Sequence, residues 1–336
     1  VFSVKNAIIV MAAMLALSSV MAVMAAGGDD QAAALYEKGL QAMANGSFQD
    51  AIASLDEAIA IDQNNSKAWL LKGEALFFLG KDNESLIAFE RAISIDPRSN
   101  EAWANKGVAL ANLQRYEEAL DAYNESIAIN GSTAGVWTSK ATALLFLGRY
   151  NESLAAFENE IAIDPKFVDA WVGKANVLDI MGRYDEALVA ANEAISIERG
   201  YSAGWFKKGI ILMNTGKFND SASAFDGALS INADDQEALW YKAIALNYAG
   251  RYNEAAVIFQ IFIDRDQNSI PAWFNMGQSL GGAGKAAEAL QAFEKVISLD
   301  PNNYRAWEMK GKILKAMNQT DAANEALAKA KELEKS

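Results

Sequence analysis

From Ala32 onward, apolar and small residues recur at helical spacings. In the block from Asn100 to Thr133, Trp103, Gly107 and Leu110 stand at i, i+4 and i+7, and Ala119, Tyr123 and Ser126 repeat that spacing farther on. Such positions share one face of a 3.6-residue helix, so the block predicts two amphipathic helices. Leu113-Gln114-Arg115-Tyr116 interrupts the pattern between them. Other copies place a Gly just before the basic or polar residue of this connector, where a positive φ is tolerated. The block reads as a helix, a tight turn and a second helix.

The block recurs every 34 residues without insertion or deletion, starting at Ala32, Ser66, Asn100, Ala134, Val168, Ser202, Gln236, Ile270 and Tyr304. The last copy is one residue short. Numbering the places of a repeat from 1 to 34, place 8 is only Gly or Ala and place 20 only Ala or Ser. Small residues there let two helices approach closely. Place 4 is Trp69, Trp103, Trp137, Trp171, Trp205, Trp273 and Trp307, with Leu35 and Leu239 as departures. The large side chain is expected to fill the crossing. Burying about 200 Å² of indole at ~25 cal/mol per Å² gives an upper bound of about 5 kcal/mol per site.

The period, the Trp, the small residues, the aromatic and the Ala resemble the tetratricopeptide repeat. The resemblance covers residues 32–336, with Pro at place 32 surviving only as Pro97, Pro165 and Pro301 and Lys replacing the usual Leu at place 7 in eight copies. It implies an all-α fold, a right-handed α-solenoid superhelix of helix-turn-helix repeats stabilised by neighbour contacts. The implied function is a non-enzymatic scaffold that binds other proteins or peptide segments. A self-associating structural component of the cell envelope is the alternative.

Composition narrows the chemistry. The chain has no His and no Cys, which excludes imidazole bases, thiol nucleophiles, zinc fingers and disulfides. Acidic pairs such as Glu117 and Glu118 point apart on a helix and occur in repeat context, so no catalytic residue, metal site or cofactor is expected. A formal charge of −13 argues against nucleic acid, whose phosphates need clustered Lys and Arg.

Residues 1–26 differ from everything after them. Lys5 precedes an uncharged run from Ala7 to Ala26, which reads as a signal peptide or a membrane anchor, followed by a short linker over 27–31. Either reading places the array outside the cytoplasm, secreted or anchored. Asn-x-Ser/Thr sequons begin at Asn45, Asn64, Asn83, Asn124, Asn130, Asn151, Asn219 and Asn318. Three of them, Asn83, Asn151 and Asn219, are copies of one helix-capping place.

By the resemblance, the first helices line a concave face and expose places 2, 5, 9, 12 and 13. Some family members grip a C-terminal carboxylate there with Lys and Asn at places 5 and 9 and Asn at place 6 of the next unit. Asn105 and Asn275 match the place-6 Asn, but the flanking residues are Leu70, Glu74, Ala104, Val108, Trp240 and Ile244, so that clamp is not assembled. The face is instead apolar. Leu70, Phe77, Phe78, Leu145 and Phe146 supply it in repeats 2 and 4. Phe206, Ile210, Met213, Trp240, Ile244, Tyr248 and Phe274 supply it in repeats 6 to 8. Trp240 is the one Trp of eight outside place 4, turned by about 100° off the packing stripe. These residues are expected to form an aromatic groove for a partner segment.

Three further features call for partners. The place-7 Lys is expected to cover the helix interface with its stem and to pair with a carboxylate. Glu160 and Phe262 break the small-residue rule at place 27. A buried Glu160 is expected to pair with Lys140 or Lys174, and Phe262 to use room left by Gly277, Gly281 and Gly282. Those glycines also predict that repeat 8 is the softest.

Overall fold

The computed structural model describes residues 29–335, which form eighteen α-helices and no strand. The chain makes two compact units, the first ending at Met181 and the second beginning at Gly182. The first holds α1 (Asp29–Ala44), α2 (Phe48–Ile61), α3 (Ser66–Phe78), α4 (Asp82–Ile95), α5 (Asn100–Asn112), α6 (Tyr116–Ile129), α7 (Val136–Phe146), α8 (Tyr150–Ile163) and α9 (Val168–Ile180). The second holds α10 (Tyr184–Ile197), α11 (Ser202–Asn214), α12 (Phe218–Ile231), α13 (Gln236–Tyr248), α14 (Tyr252–Arg265), α15 (Ile270–Gly282), α16 (Ala286–Leu299), α17 (Tyr304–Ala316) and α18 (Thr320–Leu333). Odd-numbered helices are the first helices of the nine repeats and even-numbered ones the second. Residues 1–28, which carry the expected leader and the first two residues of the expected linker, lie outside the described residues, and the linker's other three, 29–31, are the first turn of α1 instead.

The turn inside each repeat depends on place 15. Gly46, Gly80, Gly148, Gly182, Gly216, Gly250 and Gly284 all have φ between 72° and 78°. Gln114 and Asn318 hold φ of 60° and 59° where the glycine is missing. The next amide then donates back five residues, as in Lys81 N–H to Leu76 O at 3.0 Å and Lys285 N–H to Leu280 O at 2.9 Å, closing the helix end.

The crossing of the paired helices is where the small residues predicted it. Place 20 is sealed from solvent, and Ser153 and Ser221 donate their hydroxyls to the place-8 carbonyls of Ala141 and Gly209 at 2.7 and 2.8 Å. What fills the space beside place 8 is not the Trp, however. It is the ring at place 24. A Cβ added to Gly73 or Gly107 would stand 2.5 Å from Phe89 or Tyr123, and one on Gly209 2.7 Å from Phe225. Phe89, Tyr123, Phe225, Phe259 and Phe293 are at most 1 % exposed. The place-4 indoles are only half-buried, so 5 kcal/mol overstates their burial.

The indoles serve mainly the joint between repeats. Each of the seven donates Nε1–H to the carbonyl six residues earlier, from Trp69 to Gln63 O at 3.2 Å through Trp307 to Pro301 O at 3.0 Å. That carbonyl belongs to the connecting turn. The same turn is shaped by a side-chain carbonyl or carboxylate at place 31, such as Asp96 Oδ1, which accepts Arg98 N–H at 3.0 Å. At four joints the place-34 residue, Asn65, Ser99, Asp235 or Asn303, then caps the next helix, Asn65 for Ala68 N–H and Asp235 for Ala238 N–H both at 3.0 Å. The place-7 ammonium completes the joint. It lies over the indole in six repeats, 5.1 Å from the Trp69 centroid for Lys72. Lys72, Lys106, Lys174, Lys242 and Lys310 also pair with acids on the preceding second helix, Asp56, Glu90, Glu158, Asp226 and Glu294.

Both place-27 exceptions find partners, though not the expected ones. Glu160 is fully buried and pairs with no Lys among the described residues; Gly135 N–H donates to both its oxygens at 3.1 Å and Thr138 N–H to Oε2 at 3.2 Å. It caps α7, which starts two places late behind a Gly135 that has no side chain to do so. Phe262 meets the edge of Trp240 at 5.0 Å. The glycines of α15 serve other rings: Gly277 faces Phe293 and Gly282 faces Tyr252.

Candidate functional site

The first helices carry the residues that the sequence assigned to a groove, and the structure divides them by unit and by role. In the first unit Phe77 is 1 % exposed and belongs to the core. Leu70 and Leu145 are half-buried. Phe78 stacks on Phe48 at 4.8 Å, and Phe146 stacks on Tyr116 at 5.0 Å while staying 65 % exposed. In the second unit Tyr248 stacks on Phe218 at 5.1 Å in the same manner, 68 % exposed. These three pairs join place 13 of one repeat to place 17 of the repeat before. The sequence reading missed this, because the partners lie 30 residues apart and on different helices.

Phe206, Ile210, Met213, Trp240 and Ile244 come together on α11 and α13 as half-buried members of one hydrophobic cluster built over Phe225 and Phe259. Trp240 presents its face or edge to Phe259 at 5.3 Å and to Phe262 at 5.0 Å. Phe206 meets Phe225 and Tyr241 edge-on at 5.5 and 5.7 Å. Phe274 packs on Phe293 in a neighbouring cluster with Met276, Met309 and Ile313. Leu239 fills the slot that Trp occupies elsewhere, so Trp240 is an added aromatic and not a displaced one.

A polar constellation on the first unit was not anticipated. Asn105 of α5, 6 % exposed, donates Nδ2–H to Glu74 Oε1 of α3 at 2.9 Å. Burial pushes the Glu74 carboxyl up to about 7, with Asn105 opposing and Glu101 adding to the rise. Tyr36 on α1 is pushed up to about 12, first by burial and then by the charge of Glu74. Glu74 stood in the sequence as the one acid at place 9, which was the signal available.

All eight sequon asparagines are exposed. Four of the hydroxyls two residues on are sealed and hydrogen-bonded to main-chain carbonyls, those of Ser85, Ser126, Ser153 and Ser221. Among the described residues no helix is long and apolar enough to cross a membrane, and no group of three or more acids could hold a metal ion.

Comparison with known proteins accords with this architecture. Tetratricopeptide repeat models match residues 101–132, then 36–100, 138–202 and 206–270, and finally 282–335. No curated protein sequence matches the chain. Among solved structures, PilW, a type IV pilus biogenesis factor, is similar with a TM-score of 0.57 at 19 % identity, over 62 % of this chain and 96 % of its own. YrrB, described as a TPR protein with an unusual peptide-binding site, is similar at 0.50 and 21 % identity, over 56 % of this chain and 96 % of its own. The Cut9–Hcn1 complex is similar at 0.55 and 14 % identity, over 80 % of this chain and 52 % of that one. One model alone spans more than half of the chain, its matches fall in register with the helical hairpins, and the chain belongs to the tetratricopeptide repeat family.

Proposed function

We propose that this protein is a non-enzymatic scaffold that holds an apolar segment of another protein against its first helices, in an exported location behind the leader or anchor of residues 1–26. Arrays of this family are in general protein-interaction scaffolds. The observation that carries the finer reading is the cluster of Phe206, Ile210, Met213, Trp240 and Ile244 on α11 and α13. Some other repeats close the crossing with place 24 and the joint with place 4 and carry no such side chains, although Trp240 here also packs on Phe262. Half-buried aromatic surface beyond the needs of folding is the usual substance of an interface.

Trp240→Ala and Ile244→Glu test the reading. Crosslinked partners of the full chain are expected to fall at least about tenfold in both variants while the helical circular dichroism is kept. Retention of the same partners by both variants would remove the groove. The location is tested separately, by whether protease added to intact cells digests the array.

A further inference from the structure

The first helices of repeats 1 to 3 carry a carboxylate without a cation. Glu74 Oε1 is taken by Asn105 Nδ2–H at 2.9 Å, and Oε2 accepts no hydrogen bond from the described residues. Among the described residues no Lys or Arg pairs with Glu74; the charge that bears on it is that of Glu101, and Glu74 in turn bears on Tyr36. Other acids of the chain do meet cations, in five Lys pairs across the joints and in the Arg115–Glu118, Arg149–Glu152, Arg183–Glu186 and Arg251–Glu254 pairs at the starts of second helices. A half-buried carboxylate with a like charge nearby and one oxygen held by a buried amide is stabilised most by a cation brought from outside.

We propose that Glu74, with Asn105 fixing one of its oxygens, receives the ammonium of a lysine side chain in the partner segment. This rests on the reading that the first helices hold such a segment. It reverses the charge of the clamp expected for a carboxylate terminus, because place 9 here supplies an acid. Lysine is favoured over arginine because a single free oxygen suits a compact ammonium, whereas a guanidinium fork asks for both oxygens.

A random peptide library displayed on phage is selected against the full chain at pH 8, where Glu74 is ionised. The recovered peptides are expected to contain lysine. Glu74→Gln is expected to weaken them about tenfold, replacement of that lysine by norleucine to weaken them equally, and the two changes together to cost no more than one. The norleucine arm leaves the protein untouched and so does not depend on how the variant folds. Peptides without lysine, peptides enriched in arginine, or equal binding to Glu74→Gln would overturn the ammonium site and leave the groove standing. Retention of no peptide at all would overturn both.

Discussion

At the scale of single residues, place 8 separates two effects of glycine that usually travel together. Gly107→Ala adds helix propensity worth about 1 kcal/mol but drives a Cβ to 2.5 Å from the Tyr123 ring. Overpacking of a sealed ring costs about 1–3 kcal/mol, so net destabilisation is expected. Gly281→Ala meets only the flexible end of Ile313 at 3.2 Å and is expected to stabilise the chain. Chemical denaturation midpoints of opposite sign check the pair. Glu74 gives a second test. Its folded-state value of about 7 lies above the ordinary carboxylate value, so protonation favours folding. That contribution is complete below about pH 4 and is lost as pH rises through 7. Glu74→Gln is therefore expected to be the more stable chain at pH 8, by up to a few kcal/mol, with the difference vanishing near pH 4. Denaturation at both pH values reads it directly.

Helices and turns were largely legible because their signals are local. The 3.6-residue spacing gave α5 and α6, and glycine before a polar residue gave the turn. The role of Trp103 was not legible. Its size pointed to the core, whereas its Nε1–H reaches the Pro97 carbonyl six residues earlier and its face carries Lys106, a contact worth about 0.5–1 kcal/mol. Pairings across repeats, such as Phe146 on Tyr116, leave no trace at helical spacing. Glu160 belongs to this scale as well. Glu160→Ala strips α7 of its cap, and the Gly135 and Thr138 amides are expected to exchange at least about tenfold faster, consistent with ~1–2 kcal/mol per lost cap. Unchanged protection of both amides would show that α7 needs no carboxylate at its start. Burial pulls the Glu160 carboxyl above its usual range, and the amides of Gly135, Thr138 and Trp137 hold it back.

At the scale of the whole chain, the sequence told the family and left the site open. A fixed period is a global property, so nine copies identify it even where single motifs fail. Binding surfaces are made by the places that differ, and those carry no period. Hence Leu70, Phe77 and Trp240 looked alike in the sequence, although Phe77 is core and Trp240 is a half-buried ring over Phe259 and Phe262. The expectation that repeat 8 is softest also belongs here: Gly281 and Gly282 sit in the last turn of α15, and its amides are expected to exchange fastest among the first helices other than the terminal ones.

The joint built from a place-31 side chain, an indole and a lysine repeats with little change from one block to the next. Evolution or a designer can therefore lengthen or shorten such a protein in quanta of 34 residues, splicing wherever that joint is standard. Repeats 4 and 7 are different. Glu160 is matched to Gly135 and Thr138, and Phe262 to Trp240, inside their own blocks. Each must move as an intact cassette, and a cut through the middle of either would strand a buried acid or an oversized ring.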